Sequence, residues 1–435
     1  MRTKKIVLPA IVCSAVLALS ACAGGGTATT TPDAEGPQAS RGDIDIWYSN
    51  NGSEIEWATA MIEAWNAEHP DEQITGQEIP AGSSSEEVIT AAITAGTTPC
   101  LVFNNYPAAT GQFQRQGGLV NLSEFEDGEE YIVSRTGDIA EQYRSPDGSF
   151  YQMPWKSNPV MIFYNKDLFT AAGLDAENPA LSTYDEFLDT ARRLVSSGAA
   201  EFAIHPSPTS EFFQPGFDFI PLFAAATEGQ QIVENGTATF NNEAGLEVAD
   251  FWSTIYAEGL AGKEPPQSDL FVDGKAAMAI VGPWAIGYYG ASIANWGAVP
   301  VPTADGLPAD QVYTYSDSKS IGMYSNCENQ ATAWDVLKFA TGEEQDGQLL
   351  EIAGQMPMRE DLSGTYPEYF EANPAYLQFG DAASRTVENP SYIETIAIMQ
   401  ALRDAYTSAV IAGDEDVKDA FDTAATEANE LAAEG

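Results

Sequence analysis

Between residues 44 and 103 short apolar runs alternate with helical patterns, and this rhythm restricts the possible folds more than any other feature of the chain. Ile44-Asp45-Ile46-Trp47 alternates as a short strand. A helix follows, with Ser53 and Glu56 at capping-box spacing and Ile55, Ala58, Ile62 and Trp65 on one face; His69-Pro70 ends it. Ile74 and Ile79 mark a second strand. Ser83 and Glu86 cap a helix through Val88, Ala92 and Ala95, closed by Gly96 and Pro99, and Leu101-Val102-Phe103 is a buried strand. Strands separated by helices predict an α/β sheet with parallel pairings. The pattern resumes with a strand at Val160–Tyr164 and a helix capped by Thr183 and Glu186 that carries Phe187, Ala191, Leu194 and Val195. Further helices are predicted at 243–257 and 328–340, strands at 276–281 and 319–324, and closing helices at Ile393–Val410 and Val417–Leu431. No repeat of 20–50 residues stands out. No Pro/Ser-rich linker breaks the interior, so two lobes would be joined by ordered crossings.

The 435 residues suffice for two or three domains, each with a real core. A formal charge of −45 argues against nucleic acid or anionic lipid head groups, which need a basic face. Residues 1–21 have the layout of an export signal: Arg2, Lys4 and Lys5, then an apolar run from Ile6 to Leu19 that is too short, with Pro9 inside it, for a spanning helix. Leu19-Ser20-Ala21-Cys22 resembles the lipobox of bacterial lipoproteins, with Cys22 as the lipidated residue; a plain secretory signal cut nearby is the alternative. Residues 22–42 would then be a lipid-anchored flexible linker, rich in Gly, Thr, Ala and Pro. That predicts a protein held at the extracytoplasmic face of the cell membrane by acyl chains. Cys13 leaves with the signal, so Cys100 and Cys327 remain. Outside the cytoplasm such a pair forms a disulfide, the alternative being two separately buried thiols.

Catalytic signatures are missing. The two histidines, His69 and His205, belong to no HExxH motif or Cys/His cluster, and no GxSxG, Walker A or GxGxxG is present. The acidic run Glu124–Glu130 lacks the spacing of a calcium loop, with Ser123 and Phe125 where acids are needed. No metal, cofactor or catalytic residue is therefore predicted. A glycosidase-type carboxylate pair stays open, since a sequence does not give the separation of two acids.

Three segments together resemble the extracellular solute-binding proteins of family 1, the maltose-binding-like proteins of ABC sugar importers. The first is Phe163-Tyr164-Asn165-Lys166-Asp167-Leu168-Phe169 with Gly173-Leu174 and Thr183-Tyr184-Asp185-Glu186-Phe187. The second is Phe271-Val272-Asp273-Gly274-Lys275-Ala276-Ala277-Met278, leading to Gly282-Pro283-Trp284. The third is Ala333-Trp334-Asp335-Val336-Leu337-Lys338-Phe339, with Pro357-Met358-Arg359 beyond it. Order and spacing match across nearly all of 43–435. The resemblance implies a two-lobed periplasmic-binding-protein fold (type II-like) hinged between lobes of 43–157 plus 318–365 and 158–317 plus 366–435. It also implies a monomer that captures a solute and passes it to the transmembrane permease subunits of an importer.

Trp284 follows a strand stopped by Gly282-Pro283, where an indole at the carboxyl end can stack on a sugar face. Matching family segments would bring Asn50, Asn51, Trp155 and Asn158 to the ligand. Asn104, Asn105 and Tyr106 follow the strand at 101–103, and Tyr315 and Asp317 precede the second crossing. Where the family has Pro-Asp, this chain has Pro99-Cys100, a departure that fits a bond to Cys327. Uncharged Asn and Tyr beside Trp predict a neutral oligosaccharide. The alternatives are a surface-anchored carbohydrate-active enzyme, a binder of a non-sugar solute and, less in keeping with a chain lacking repeats, an adhesion protein.

Overall fold

The computed structural model describes residues 37–434 apart from Ser83 and Ala291. The predicted signal at 1–21, Cys13, the predicted lipid-attachment residue Cys22 and most of the predicted linker lie outside the described residues. Thirteen strands are described in chain order: β1 Ile44–Tyr48, β2 Ile74–Glu78, β3 Leu101–Asn105, β4 Met153–Lys156, β5 Met161–Asn165, β6 Phe202–His205, β7 Val233–Glu234, β8 Thr237–Ala238, β9 Ala276–Val281, β10 Trp296–Val299, β11 Thr314–Tyr315, β12 Lys319–Met323 and β13 Thr386–Val387. They form a five-stranded sheet in the order β2-β1-β3-β12-β4, a four-stranded sheet in the order β10-β5-β9-β6, and the small pairs β11-β13 and β7-β8. The predicted parallel pairings hold for β1 with β2 and β3, and for β6 with β9. β12 runs antiparallel between β3 and β4, and β5 antiparallel to β9 and β10, so both sheets are mixed.

Both faces of each sheet are covered, which is why the central strands read as continuous apolar runs. On β5, Ile162 and Tyr164 enter a core with Phe187, Leu194 and the closing helices, while Met161 and Phe163 face Leu362, Phe370 and Phe379. In the first sheet Leu101 and Phe103 pack on Trp57 and Trp334, and Val102 on Phe113 and Tyr324. Trp57, Trp65, Trp252 and Trp334 are buried, while Trp47 is half-buried.

Local signals fix most helix ends. The Thr183/Glu186 capping box is formed with both of its hydrogen bonds, and Gly96 ends its helix in the left-handed conformation. Two predicted caps shift. The helix Gly52–Glu68 is capped by Asn51, whose side chain accepts from Ser53 N, rather than by Ser53. The helix Ser85–Ala95 is capped by Ser84, accepting from Glu87 N. The predicted helix Ile393–Val410 is α-helical over Thr395–Ala405 and continues as a π-helix, Tyr406–Ala412. The predicted linker also ends early. Arg41 bonds Glu72 and Asp335, Ser40 O accepts from Ala331 N, and Gly42 N donates to Thr332 Oγ1, so the residues ahead of β1 lie docked against the first sheet's helices.

Cys100 and Cys327 form a disulfide across 227 positions of sequence, tying the start of β3 to the turn after β12. Three charge clusters are buried. Arg135 and Arg359 bond Asp346, Arg403 bonds Asp218 at 2.7 Å with neither side chain exposed, and Lys156 bonds Glu54 at 2.7 Å. Arg135 also donates to the carbonyls of Pro154, Trp155 and Met358, fixing β4 to the segment that leads out of the first sheet's core.

Candidate functional site

A cleft of about 630 Å³ opens between the two sheets, walled by residues after β1, on β3, at the two crossings 157–160 and 300–318, and after β9. After β1 the chain releases Ser49, Asn50 and Asn51 into it. Asn51 does two tasks there, since its Oδ1 also caps the helix that brings Glu54 to the wall.

On β3 the backbone itself is modified. Val102 and Asn105 pair with Gly322 and Ser320, so β3 holds one residue more than β12 over this stretch, and Asn104 sits at φ 70°. An extra residue in the left-handed conformation is a bulge that re-aims a side chain, and asparagine accepts that conformation better than most residues. Asn104 faces the cleft as a result. Asn105 does not: it is buried, and its Oδ1 accepts from Tyr324 OH.

The crossings run alongside each other. Asp317 N donates to Asn158 O, and Asn158 Nδ2 donates back to Asp317 O at 2.9 Å. Asp317 then holds two more groups, Trp284 Nε1 at 3.1 Å on Oδ2 and Lys319 Nζ at 2.9 Å on Oδ1. Trp284 stands half-buried beyond the end of β9, where the stop at Gly282-Pro283 predicts it. Lys156 enters from the end of β4, its ammonium pulled down by burial against the raising effect of Glu54. Each cleft lysine thus has its own carboxylate, and the four charges cancel.

Three acceptors on residues that line this cleft are buried without a hydrogen-bond partner among the described residues: Glu54 Oε2, Asn104 Oδ1 and Asn158 Oδ1. The amide nitrogen of Asn158 is committed to Asp317 O, so its oxygen is the end left open. Buried acceptors are nearly always paired, and unpaired ones gathered in one cleft mark where a donor is missing. Beyond Ser53, Gly287, Ala353 and Tyr376, which wall both spaces, the cleft continues into a chamber of about 590 Å³ bounded by Tyr369 and Asn373.

Of the residues expected at the ligand, the cleft therefore gathers Asn50, Asn51, Asn104, Asn158, Trp284 and Asp317. It excludes four. Trp155 is 1 % exposed, packed against Trp57 and Phe103, because strand alternation on β4 sends Lys156 to the cleft and Trp155 to the core. Asn105 turns inward past the bulge. Tyr106 and Tyr315 are buried against each other, OH to OH at 3.0 Å, with Asn389 Nδ2 donating to both. Beside them Glu388 is buried, its carboxylate taking Tyr143 OH at 2.5 Å, Ser318 OH and Asn389 N, and burial pushes it up to about 7. Sequence reasoning missed Lys156, Lys319, Glu54, Ser49, Gln355, Tyr288 and Tyr376, all of which line the cleft. Lys156 points opposite to its buried neighbour, but which of the two turns to the cleft is decided by the partner strands. Tyr376 carries no local signal. Among the described residues no helix is long and apolar enough to cross a membrane, and no His, Cys, Asp and Glu cluster could hold a metal.

Residues 51–347 match the sequence model described as bacterial extracellular solute-binding protein. The sn-glycerol-3-phosphate-binding periplasmic protein UgpB of Rhizobium meliloti (strain 1021) is 22% identical over 89% of this chain and 93% of its own. The arabinooligosaccharide-binding protein of Halalkalibacterium halodurans is 22% identical over 77% of this chain and 76% of its own. Among solved structures, the cyclic alpha-maltosyl-1,6-maltose binding protein of Arthrobacter globiformis superposes with a TM-score of 0.78 at 20% identity, covering 91% of this chain and 100% of that one. The GacH receptor of Streptomyces glaucescens superposes with a TM-score of 0.74 at 21% identity, covering 90% of this chain and 99% of that one. These likenesses establish the expected fold, two α/β lobes facing each other across a cleft. With its model spanning well over half of the residues, the chain belongs to the bacterial extracellular solute-binding proteins.

Proposed function

We propose that this protein is the substrate-binding subunit of an ABC importer. It captures a neutral oligosaccharide between lobes of 43–157 plus 318–365 and 158–317 plus 366–435, and delivers it to the transmembrane permease. In this reading it is a monomer held to the membrane by lipid on Cys22, and it catalyses nothing.

The observation that carries the ligand class is the set of three buried, unpartnered acceptors, Glu54 Oε2, Asn104 Oδ1 and Asn158 Oδ1. A sugar supplies hydroxyl donors to such acceptors, while Trp284 offers an apolar face to its CH groups. A phosphate presents only acceptors to them at neutral pH, and both cleft lysines are already paired with carboxylates. The same pairing speaks against hydrolysis, since a general acid must carry a proton and Glu54 and Asp317 each sit on an ammonium. The adjoining chamber past Tyr376 favours a ligand of several units over a single ring.

The test is thermal unfolding of the protein with glycerol 3-phosphate and with di- to hexasaccharides, each sugar then recovered and sized by chromatography. A ligand at about 100 times its dissociation constant adds about 2.7 kcal/mol of stability. Stabilisation by an intact saccharide is expected. Stabilisation by glycerol 3-phosphate alone would refute the neutral-ligand reading, and a shortened sugar would make the protein an enzyme.

A further inference from the structure

Three passages of chain link the two large sheets. The first joins β4 to β5 and the second joins β10 to β12. The third leads from Met358, in the first sheet's core, to Leu362, which packs with Met161 and Phe163 of the second. All three meet around one cavity of about 460 Å³ that shares no lining residue with the cleft. Val160 lines it from the first passage, with Met161 at the start of β5, Val312 and Thr314 line it from the second, and Glu360 and Asp361 from the third. Its size is that of an ordinary small-molecule site.

Two features of the walls define a guest. Arg385 lines the cavity, and its Nε is buried with no hydrogen-bond partner among the described residues. The backbone of Arg385 is fixed to the second passage, where Thr314 N donates to Arg385 O at 3.1 Å. Four acids, Asp310, Glu360, Asp361 and Asp381, line the cavity from exposed positions, and the remaining wall includes Val160, Val301 and Val312. A simple anion would meet those four acids in a chain of net charge −45, and a simple cation would leave Arg385 unanswered. A molecule carrying both charges answers both.

We propose that this cavity is a second ligand site, placed at the hinge, for a small zwitterion with an aliphatic body: its carboxylate on Arg385, its ammonium toward the aspartates, its alkyl chain against the valines. A guest touching all three passages binds the open and closed arrangements of the lobes unequally, so it alters affinity in the cleft, and the cleft ligand alters affinity here by the same factor. This coupling rests on the hinge-closing function proposed above; the site itself does not.

Calorimetric titration with leucine tests the site, with butylamine and butyrate as probes of one charge each. Saturable leucine binding is expected, with either single-charge probe about tenfold weaker or worse, the usual effect of a charge-assisted hydrogen bond. Arg385→Gln lowers leucine affinity about tenfold or more. Ala309→Trp, which fills the cavity from an exposed rim position, abolishes binding by a route independent of the guanidinium. No saturable leucine binding, equal binding of either single-charge probe, or persistence of binding in both cavity variants overturns the site. Leucine binding that leaves the affinity of the cleft saccharide unaltered overturns the coupling.

Discussion

Replacing Glu388 by glutamine removes a carboxyl that the fold keeps protonated well above its ordinary range. Four donors reach this carboxylate, from Tyr143, Ser318 and both the backbone and the side-chain amide of Asn389, and Lys319 attracts it from nearby, yet burial outweighs them and moves its pKa from 4.5 to about 7. The sign follows from which state holds the proton. Below pH 4.5 folded and unfolded chains both keep it. Between 4.5 and about 7 only the unfolded chain releases it, so rising pH favours unfolding; above 7 both have released it and the loss is complete. The span corresponds to about 3 kcal/mol of stability lost across that window. Glutamine has no such proton. Urea unfolding of the parent and of Glu388→Gln at pH 5 and pH 8 reads the effect as a difference of differences, which cancels the pH-independent change in hydrogen bonding. The variant should gain about 2–3 kcal/mol on the parent between the two pH values. A gap between the proteins that is the same at both would refute the argument, because Glu388 would then titrate as a solvated carboxyl does.

Other outcomes follow from the same structure. Trp284→Ala should weaken saccharide binding by more than about 1 kcal/mol with an unchanged unfolding midpoint, measured by titration calorimetry; unaltered affinity would mean that the indole is no stacking platform. Trp155→Ala, by contrast, should lower stability by about 3–5 kcal/mol in denaturant unfolding, as a truncated core aromatic does. Asp218→Asn strands Arg403 in the interior and should cost about 3–5 kcal/mol in the same assay, whereas a loss under 1 kcal/mol would mean that the pair is not dry. Cys100→Ser with Cys327→Ser opens a loop of 227 positions and should lower stability by up to about 5 kcal/mol under non-reducing conditions, with no effect of added reductant on the double variant.

What was legible in the sequence was local. The helix Glu243–Ala257 and the strand Ala276–Val281 lie where hydrophobic periodicity puts them, and the Thr183/Glu186 box caps its helix because both partners lie within one turn. Sheet order was not legible. Nothing near residue 319 states that β12 will lie between β3 and β4, since that pairing is made by contacts hundreds of residues apart. In the cleft, residues on irregular backbone after a strand end, Asn50, Asn51 and Trp284, were found. Failures came from face parity. A four-residue strand with Trp155 and Lys156 adjacent gives no clue to which faces the cleft until its partner strands are known. At Asn104 one bulge residue reverses the alternation, so Asn104 lines the cleft and Asn105 turns inward for a reason that sequence spacing does not carry.

The position of β12 also sets an order of events. β3 ends at residue 105, but the strand that covers its free edge begins at residue 319. Until residues 319–327 have reached the place where the chain folds, Cys100 is without Cys327 and the first sheet is an incomplete, three-stranded surface of β2, β1 and β3. That sheet therefore cannot be completed as an N-terminal unit ahead of the rest.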